Sequence, residues 1–153
     1  VKIGVISDTH GYLDPKVEQF FQGVDHILHA GDIGFASIIL ELEFIAPVTA
    51  VLGNNDPGLS FKETECVELG GKKIIVHHIV SPQELSDKLN TRIRRDRPDL
   101  VVFGHTHRAF SDTVNGVHFF NPGYAGKPKF GADRSVAILD LEKGRFHPQF
   151  FRL

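Results

Sequence analysis

The chain has 153 residues with 17 Lys and Arg against 19 Asp and Glu, a formal charge of -2 at pH 7, so neither a nucleic acid nor a membrane is an expected partner. At this length one core can bury about two-thirds of the unfolded chain's surface, and a single domain over residues 1–153 needs no staple or partner to fold. The one cysteine, Cys66, excludes a disulfide framework and thiolate-rich zinc or iron-sulfur sites, and points to a reducing, cytoplasmic compartment. The first residues enter an apolar run without the charge and cleavage-site order of a signal segment, so export is not expected.

In chain order, Val1, Ile3, Val5 and Ile6 read as a strand ending at Ser7, and Asp8 and His10 of S-D-T-H follow it. Pro15 ahead of Val17, Phe20 and Phe21 predicts a helix with proline in its first turn. A short strand from Ile27 to His29 leads into H-A-G-D and Asp32. Ser37 to Phe44, with Ile38, Ile39, Leu42 and Ile45 apolar, predicts a second helix on the same sheet, stopped by Pro47. Val48 to Leu52 reads as a strand and runs into G-N-N-D, which carries Asn54 and Asn55. Lys73 to Val76 is the next strand and ends on His77 and His78. S-P-Q-E at Ser81 to Glu84 has the form of a capping box and predicts a helix to about Arg95, with Leu85, Leu89 and Ile93 inward. The basic run Arg92, Arg94, Arg95 and Arg97 reads as a solvated helix end complementing the dipole, with a phosphate-binding edge as the functional alternative.

Leu100 to Phe103 is a strand ahead of G-H-T-H, which carries His105 and His107. The pattern then changes to short strands, Ala109 to Thr113, Val117 to Phe120, Ser135 to Asp140 and Arg145 to Phe150, joined by V-N-G, N-P-G and E-K-G turns. Phe110, Phe119, Phe120, Phe146, Phe150 and Phe151 fall here at core spacing, and about four in five of them are expected to be buried.

Polar clusters thus follow five strand ends, where open α/β sheets keep their ligand sites. A turn needs Gly, Asn or Asp but has no need of histidine. Asp8, His10, Asp32, Asn54, His78, His105 and His107 therefore read as metal ligands, whereas His26, His29, His118 and His147 read as surface or hydrogen-bonded residues. Only one of His77 and His78 can enter the site, because strand neighbours face opposite sides. Imidazole and carboxylate with an amide oxygen suit Mn, Fe, Co, Ni or Zn rather than Mg or Ca. So many ligands exceed the needs of one tetrahedral ion, and two ions sharing a carboxylate, roughly 3.5 to 4 Å apart, would use them economically.

The order D-x-H, G-D, G-N-x-D, H, G-H-x-H resembles the calcineurin-like metallophosphoesterases, and N-P-G at Asn121 to Gly123 resembles their small bacterial and archaeal phosphodiesterase branch. The match runs from Ile3 to about Leu139. The resemblance implies an α/β fold, a four-layer α/β/β/α sandwich of two packed mixed sheets with flanking helices. It also implies two divalent transition-metal ions, Mn or Ni first, with Fe, Co or Zn as the others. One ion would take Asp8, His10 and His107, the other Asn54, His78 and His105, and Asp32 would bridge them. The attacking hydroxide would sit between the ions, and Asn55 would bind a phosphoryl oxygen. The family spacing from Gly71 selects His78 and leaves His77 as the alternative.

Two departures bear on substrate. Relatives of the phosphatase type carry G-N-H, where this chain has Asn55, and asparagine cannot deliver a proton near neutral pH. Many members carry an acid three positions after the bridging aspartate, where this chain has Phe35. The expected activity is hydrolysis of a small phosphodiester with a good leaving group. A monoester phosphatase is one alternative, and a metal-binding scaffold is the other, since one branch of the superfamily serves membrane trafficking. That branch tends to lose early ligands that are present here, and an exposed apolar patch on the outer helices would favour it. Homo-oligomerisation stays open.

Overall fold

A computed structural model describes residues 1–142 and 144–153. The expected apolar runs form β1 (Lys2–Ile6), β2 (His26–His29) and β3 (Val48–Ala50), which lie parallel, while β9 (Ser135–Glu142) and β10 (Arg145–Arg152) extend the sheet antiparallel beside β1. The second sheet contains β4 (Thr64–Leu69), β5 (Lys72–His77), β6 (Leu100–Val102), β7 (Phe110–Val114) and β8 (Val117–Asn121). Its order is β4-β5-β6-β8-β7, with β5, β6 and β8 parallel, so both five-stranded sheets are mixed. The helices are α1 (Lys16–Phe20), α2 (Ala36–Glu43) and α3 (Asp87–Asp96). None among the described residues is long and apolar enough to cross a membrane.

Alternation along the strands sorts the core into three interfaces. Ile3, Val5 and Leu28 meet Ile74, Val76, Val102 and Phe120 between the sheets. Their neighbours Ile6 and Ile27 turn outward to Val17, Phe21, Ile38 and Leu42 around α1 and α2. Ile75, Val101 and Phe119 turn outward to Leu89 of α3. This is the four-layer α/β/β/α sandwich implied by the resemblance. Each fully buried aliphatic or phenylalanine side chain contributes about 1.5 to 3 kcal/mol of transfer free energy, so the layers are fixed mainly by this pattern.

Several expectations need correction. The helix read from Ser81 begins at Asp87 instead, with Ser86 as its cap accepting from the Leu89 N–H at 3.2 Å. Ser81 closes a turn, its carbonyl accepting from the Glu84 N–H at 2.9 Å. Strand β4 went unread, since T-E-C-V-E-L shows no run of apolar residues. Its hairpin to β5 turns on Gly70 and Gly71, both left-handed at φ 58° and 76°, as the two-residue turn requires. Strand β3 stops at Ala50, short of Leu52. Of the six phenylalanines, only Phe119 and Phe120 are fully buried, and Phe150 is exposed on the edge strand β10. The V-N-G turn is as read, whereas the E-K-G turn falls on Lys143, outside the described residues.

His29 is the deepest polar tie in the first sheet. Its Nδ1 accepts from the Gly31 N–H at 3.2 Å, so Nε2 carries the hydrogen and donates to Thr9 Oγ1 at 3.0 Å. The Thr9 hydroxyl in turn donates to the Ile33 carbonyl at 2.9 Å. Complete burial lowers the ring's pKa from 6.5 to about 3. Below pH 6.5 the unfolded chain takes a proton that the folded chain refuses, so stability falls from there toward pH 3 with a slope of up to about 1.4 kcal/mol per pH unit. His29→Gln should show a shallower decline over this range in urea unfolding of metal-free protein. Parallel pH profiles for the variant and the parent would remove His29 as the cause.

Candidate metal centre

The parallel strands of both sheets end on the same side of the sandwich, and the loops beyond them converge. Asp8 follows β1, Asp32 follows β2, Asn54 follows β3, His78 follows β5 and His105 and His107 follow β6. Asp8, His10, Asp32, His105 and His107 have left-handed backbones with φ between 48° and 71°. Among the described residues only Arg97 and Asn115 are other non-glycine cases. Such a conformation costs about 1 to 2 kcal/mol for an ordinary L-residue, and its concentration here marks loops held by tertiary contacts. Those contacts are on view: Asp8 N–H donates to Gly31 O at 3.0 Å, His10 N–H to Asp32 O at 2.9 Å, and Gly104 N–H to His78 O at 3.0 Å.

Asp8 is sealed from solvent, and its Oδ2 accepts from the Ser7 hydroxyl at 2.8 Å and the His105 N–H at 3.1 Å. His78 is also buried, and its Nδ1–H donates to the Ala30 carbonyl at 2.7 Å. This leaves Asp8 Oδ1 and His78 Nε2 as buried atoms without a hydrogen-bond partner among the described residues, 3.8 Å apart. Both then face one another as acceptors, an arrangement that a bound cation would satisfy. Around them lie Asp32 Oδ2, 3.4 Å from His78 Nε2 and 3.6 Å from His10 Nε2, and His107 Nε2, 3.3 Å from Asp8 Oδ1. Two groups of donor atoms are each compact enough for an ion: Asp8, His10 and His107, and Asp8, Asp32 and His78. The donor set fits the divalent ions that favour mixed imidazole and carboxylate ligation.

Asn54 and His105 form the exposed rim, with Asn54 Oδ1 and His105 Nδ1 at 3.2 Å and the His105 ring edge-on to His78. His77 points to the opposite face of β5, where its Nδ1 meets Thr64 Oγ1 at 2.8 Å. Asn55 donates to Asp32 twice, from N–H to Oδ1 at 2.9 Å and from Nδ2 to Oδ2 at 3.1 Å. Its amide thus positions the carboxylate, and one Nδ2 hydrogen remains for another acceptor.

The two carboxylates are held differently. Burial pushes the Asp8 carboxyl above its usual 3.8, against His78, the Ser7 hydrogen bond and His107. Burial also opposes ionisation of Asp32, but the Asn55 hydrogen bonds with His78 and His10 outweigh it and hold that carboxyl below its usual value. The buried anion at Asp8 therefore lacks a full counter-charge from the protein.

Other positioning residues were not assigned from the sequence. Asp56, the last residue of G-N-N-D, accepts the backbone N–H groups of Ile33, Gly34 and Gly53 at 3.1, 2.9 and 2.7 Å, and so ties the Asp32 loop to the Asn54 loop. Asn121 Nδ2 donates to Gly104 O and Thr106 Oγ1, both at 3.1 Å, and steadies the G-H-T-H loop. The Tyr124 ring stacks on His107 with centroids 4.7 Å apart. Gly53 and Gly104 pass so close to Asp32 and to Ser7 and Asp8 that a Cβ would collide with them, which accounts for glycine in G-N-N-D and G-H-T-H. The signals for Asp56 and Asn121 lay inside motifs already noticed, but Ile33 and Gly34 as partners of Asp56, and Gly104 and Thr106 as partners of Asn121, are too distant in sequence to be inferred.

Comparison with known proteins agrees with this arrangement. Residues 1–144 match the calcineurin-like phosphoesterase superfamily domain. A probable metallophosphoesterase of Methanothermobacter thermautotrophicus is 31% identical over 158 residues, covering 98% of this chain and 91% of the relative. A solved structure described as a novel archaeal phosphodiesterase superimposes with a TM-score of 0.77 at 26% identity, covering 99% of this chain and 100% of that one. A Vps29 variant from Entamoeba histolytica superimposes with a TM-score of 0.78 at 21% identity over 100% of this chain and 99% of that one, a likeness of fold. With ordered motifs, fold and converging ligand-type side chains in agreement, the chain belongs to the calcineurin-like phosphoesterase superfamily, as a member of its small bacterial and archaeal branch.

Proposed function

We propose that this protein hydrolyses phosphoesters, small phosphodiesters ahead of monoesters, with two divalent transition-metal ions in place. The observation that carries the reading is the buried pair Asp8 Oδ1 and His78 Nε2, without a hydrogen-bond partner among the described residues. Asp8, His10 and His107 would hold one ion, Asn54, His78 and His105 the other, and Asp32 would serve both. Manganese or nickel is the first choice, with iron, cobalt or zinc as the others, because of the imidazole and carboxylate donors. Such ions supply Lewis-acid charge and a water of lowered pKa. Asn55 fixes Asp32 and turns its free hydrogen toward a phosphoryl oxygen. It cannot deliver a proton near neutral pH, so the leaving group has to be a good one. A diester carries less charge than a dianionic monoester, which matches a site lacking a cationic histidine at this position. The similarity to a protein described as an archaeal phosphodiesterase supports the diester preference. The single cysteine, Cys66, supports a reducing, cytoplasmic location.

A second reading rests on α2 and its two flanking residues, where Phe35, Leu40 and Phe44 are exposed at 63%, 61% and 92%. Exposed apolar groups on an outer helix suit a scaffold, and proteins named Vps29 share the fold. The presence of all the early ligands keeps the enzyme reading ahead.

Protein stripped of metal and reloaded with Mn or Ni should approach two equivalents per chain. Asp32→Asn should weaken both ions together, and Asn54→Ala mainly one. A ceiling of one equivalent would sink the two-ion arrangement. His78→Ala should lose more metal and activity than His77→Ala, because only His78 faces Asp8 and Asp32; equal losses would contradict that assignment. The reloaded enzyme should turn over bis(p-nitrophenyl) phosphate faster than p-nitrophenyl phosphate at matched concentration. Asn55→His should raise monoester turnover by about tenfold or more, toward the range a positioned general acid supplies. A parent preference for the monoester would overturn the diester assignment.

A further inference from the structure

His77, the arginines of α3 and the exposed Ile79 have no part in the centre, yet they meet in one place. A cleft of about 570 Å³ runs along α3, lined by Thr64, His77, Ile79, Leu89, Arg92 and Arg95 among others. A smaller cleft lined by Gly53, Asn54 and His78 at the rim of the metal centre shares Glu63, His77 and Ile79 with it, so the two adjoin. Ile79, 49% exposed, stands at their junction.

The lining has a distinct chemistry. Ile79 offers exposed apolar surface, and Thr64 and His77, bonded to each other through Oγ1 and Nδ1 at 2.8 Å, leave the ring Nε2 for an outside partner, a combination suited to a heterocycle with apolar faces and polar edges. At the rim, Lys88 is paired with Glu63 at 2.9 Å, whereas Arg92 and Arg95 share the single carboxylate of Asp96. Among the described residues one of these two positive charges is left over for an outside anion. The volume falls within the range of about 300 to 1,000 Å³ typical of ligand sites.

We propose that this cleft is a subsite for the nucleoside arm of a linear phosphodiester, with the base on Ile79 beside His77 and the arm's next phosphate at the Arg92 and Arg95 rim. This rests on the phosphodiesterase reading above and narrows its substrate class. Small or cyclic diesters reach only the inner cleft and gain nothing from the outer one.

The test compares the p-nitrophenyl ester of thymidine 5′-phosphate with methyl p-nitrophenyl phosphate on reloaded full-length protein. The parent should prefer the thymidine ester by about tenfold or more in kcat/KM, the scale of one base packed on a protein surface. Thr91→Trp, which fills the cleft from an exposed position on α3, should collapse that ratio toward one. Arg95→Ala should weaken binding of thymidine 3′,5′-bisphosphate about threefold to tenfold, the scale of one phosphate contact. An unchanged ratio in Thr91→Trp together with unchanged bisphosphate binding in Arg95→Ala overturns the subsite. Methyl NMR shifts at Ile79 on adding the bisphosphate give a readout that needs no turnover. If the parent hydrolyses no diester, the phosphodiesterase reading fails, and those shifts then decide the cleft alone: their presence keeps it as a nucleotide site and their absence removes it.

Discussion

Two lone pairs facing each other in a sealed space are the constraint around which this molecule is organised. Asp8 Oδ1 and His78 Nε2 are shut off from water by the packing of both sheets, and neither finds a hydrogen among the described residues. An unsatisfied buried polar atom costs about 1 to 3 kcal/mol, more when charged. Most of the surroundings hold these two atoms where they are. Ser7 and the His105 N–H fix the other oxygen of Asp8, and the Ala30 carbonyl fixes the other nitrogen of His78. The geometry that would receive a cation is thus set by protein contacts alone, the preorganisation that a metal site needs from its supporting groups.

Parallel strands make this convergence possible, since β1, β2 and β3 in one sheet and β5 and β6 in the other deliver their loops to one side. The loops are then bound to each other more than to their own strands. Asp56 spans the Asp32 and Asn54 loops, Asn121 spans β8 and the His105 loop, and Asn55 reaches across to Asp32. These ties offset the left-handed strain at the candidate ligand positions. They also grade the site from the buried Asp8, Asp32 and His78 to the exposed Asn54 and His105, with access from the rim.

Much of this was legible because local pattern and global fold agree. Apolar alternation placed Ile3, Ile74 and Val102 inside, and the same alternation separated His77 from His78. Polar clusters at strand ends gave the candidate ligands without any tertiary knowledge. Local signals misled where a competing turn could satisfy them. Ser81-Pro-Gln-Glu closes a turn through Ser81 O and Glu84 N–H, and the later Ser86 caps the helix. Strand β4 was hidden because an edge strand carries charges such as Glu65 and Glu68, and its identity comes from pairing with β5. The phenylalanines of β10 were misjudged for the same reason, since spacing marks a face but edge position decides its burial. Asp56 was out of reach because its partners Ile33 and Gly34 lie more than twenty residues away.

The seat of β1 between β2 and β9 carries a consequence for how the chain acquires its shape. Ile3 pairs with Leu139 and Val5 with Ala137, so the strand that bears Asp8 has one flank covered only by residues near the opposite end of the chain. Pairings of such sequence separation close slowly, because the loop entropy is spent before the contacts return it. On a ribosome β1 is made long before β9, and its aliphatic edge stays open throughout that interval, a period of exposure to chaperones and to mispairing. Loss of the strand from Ser135 to Glu142 would leave that edge open permanently, exposing a template for intermolecular sheet growth.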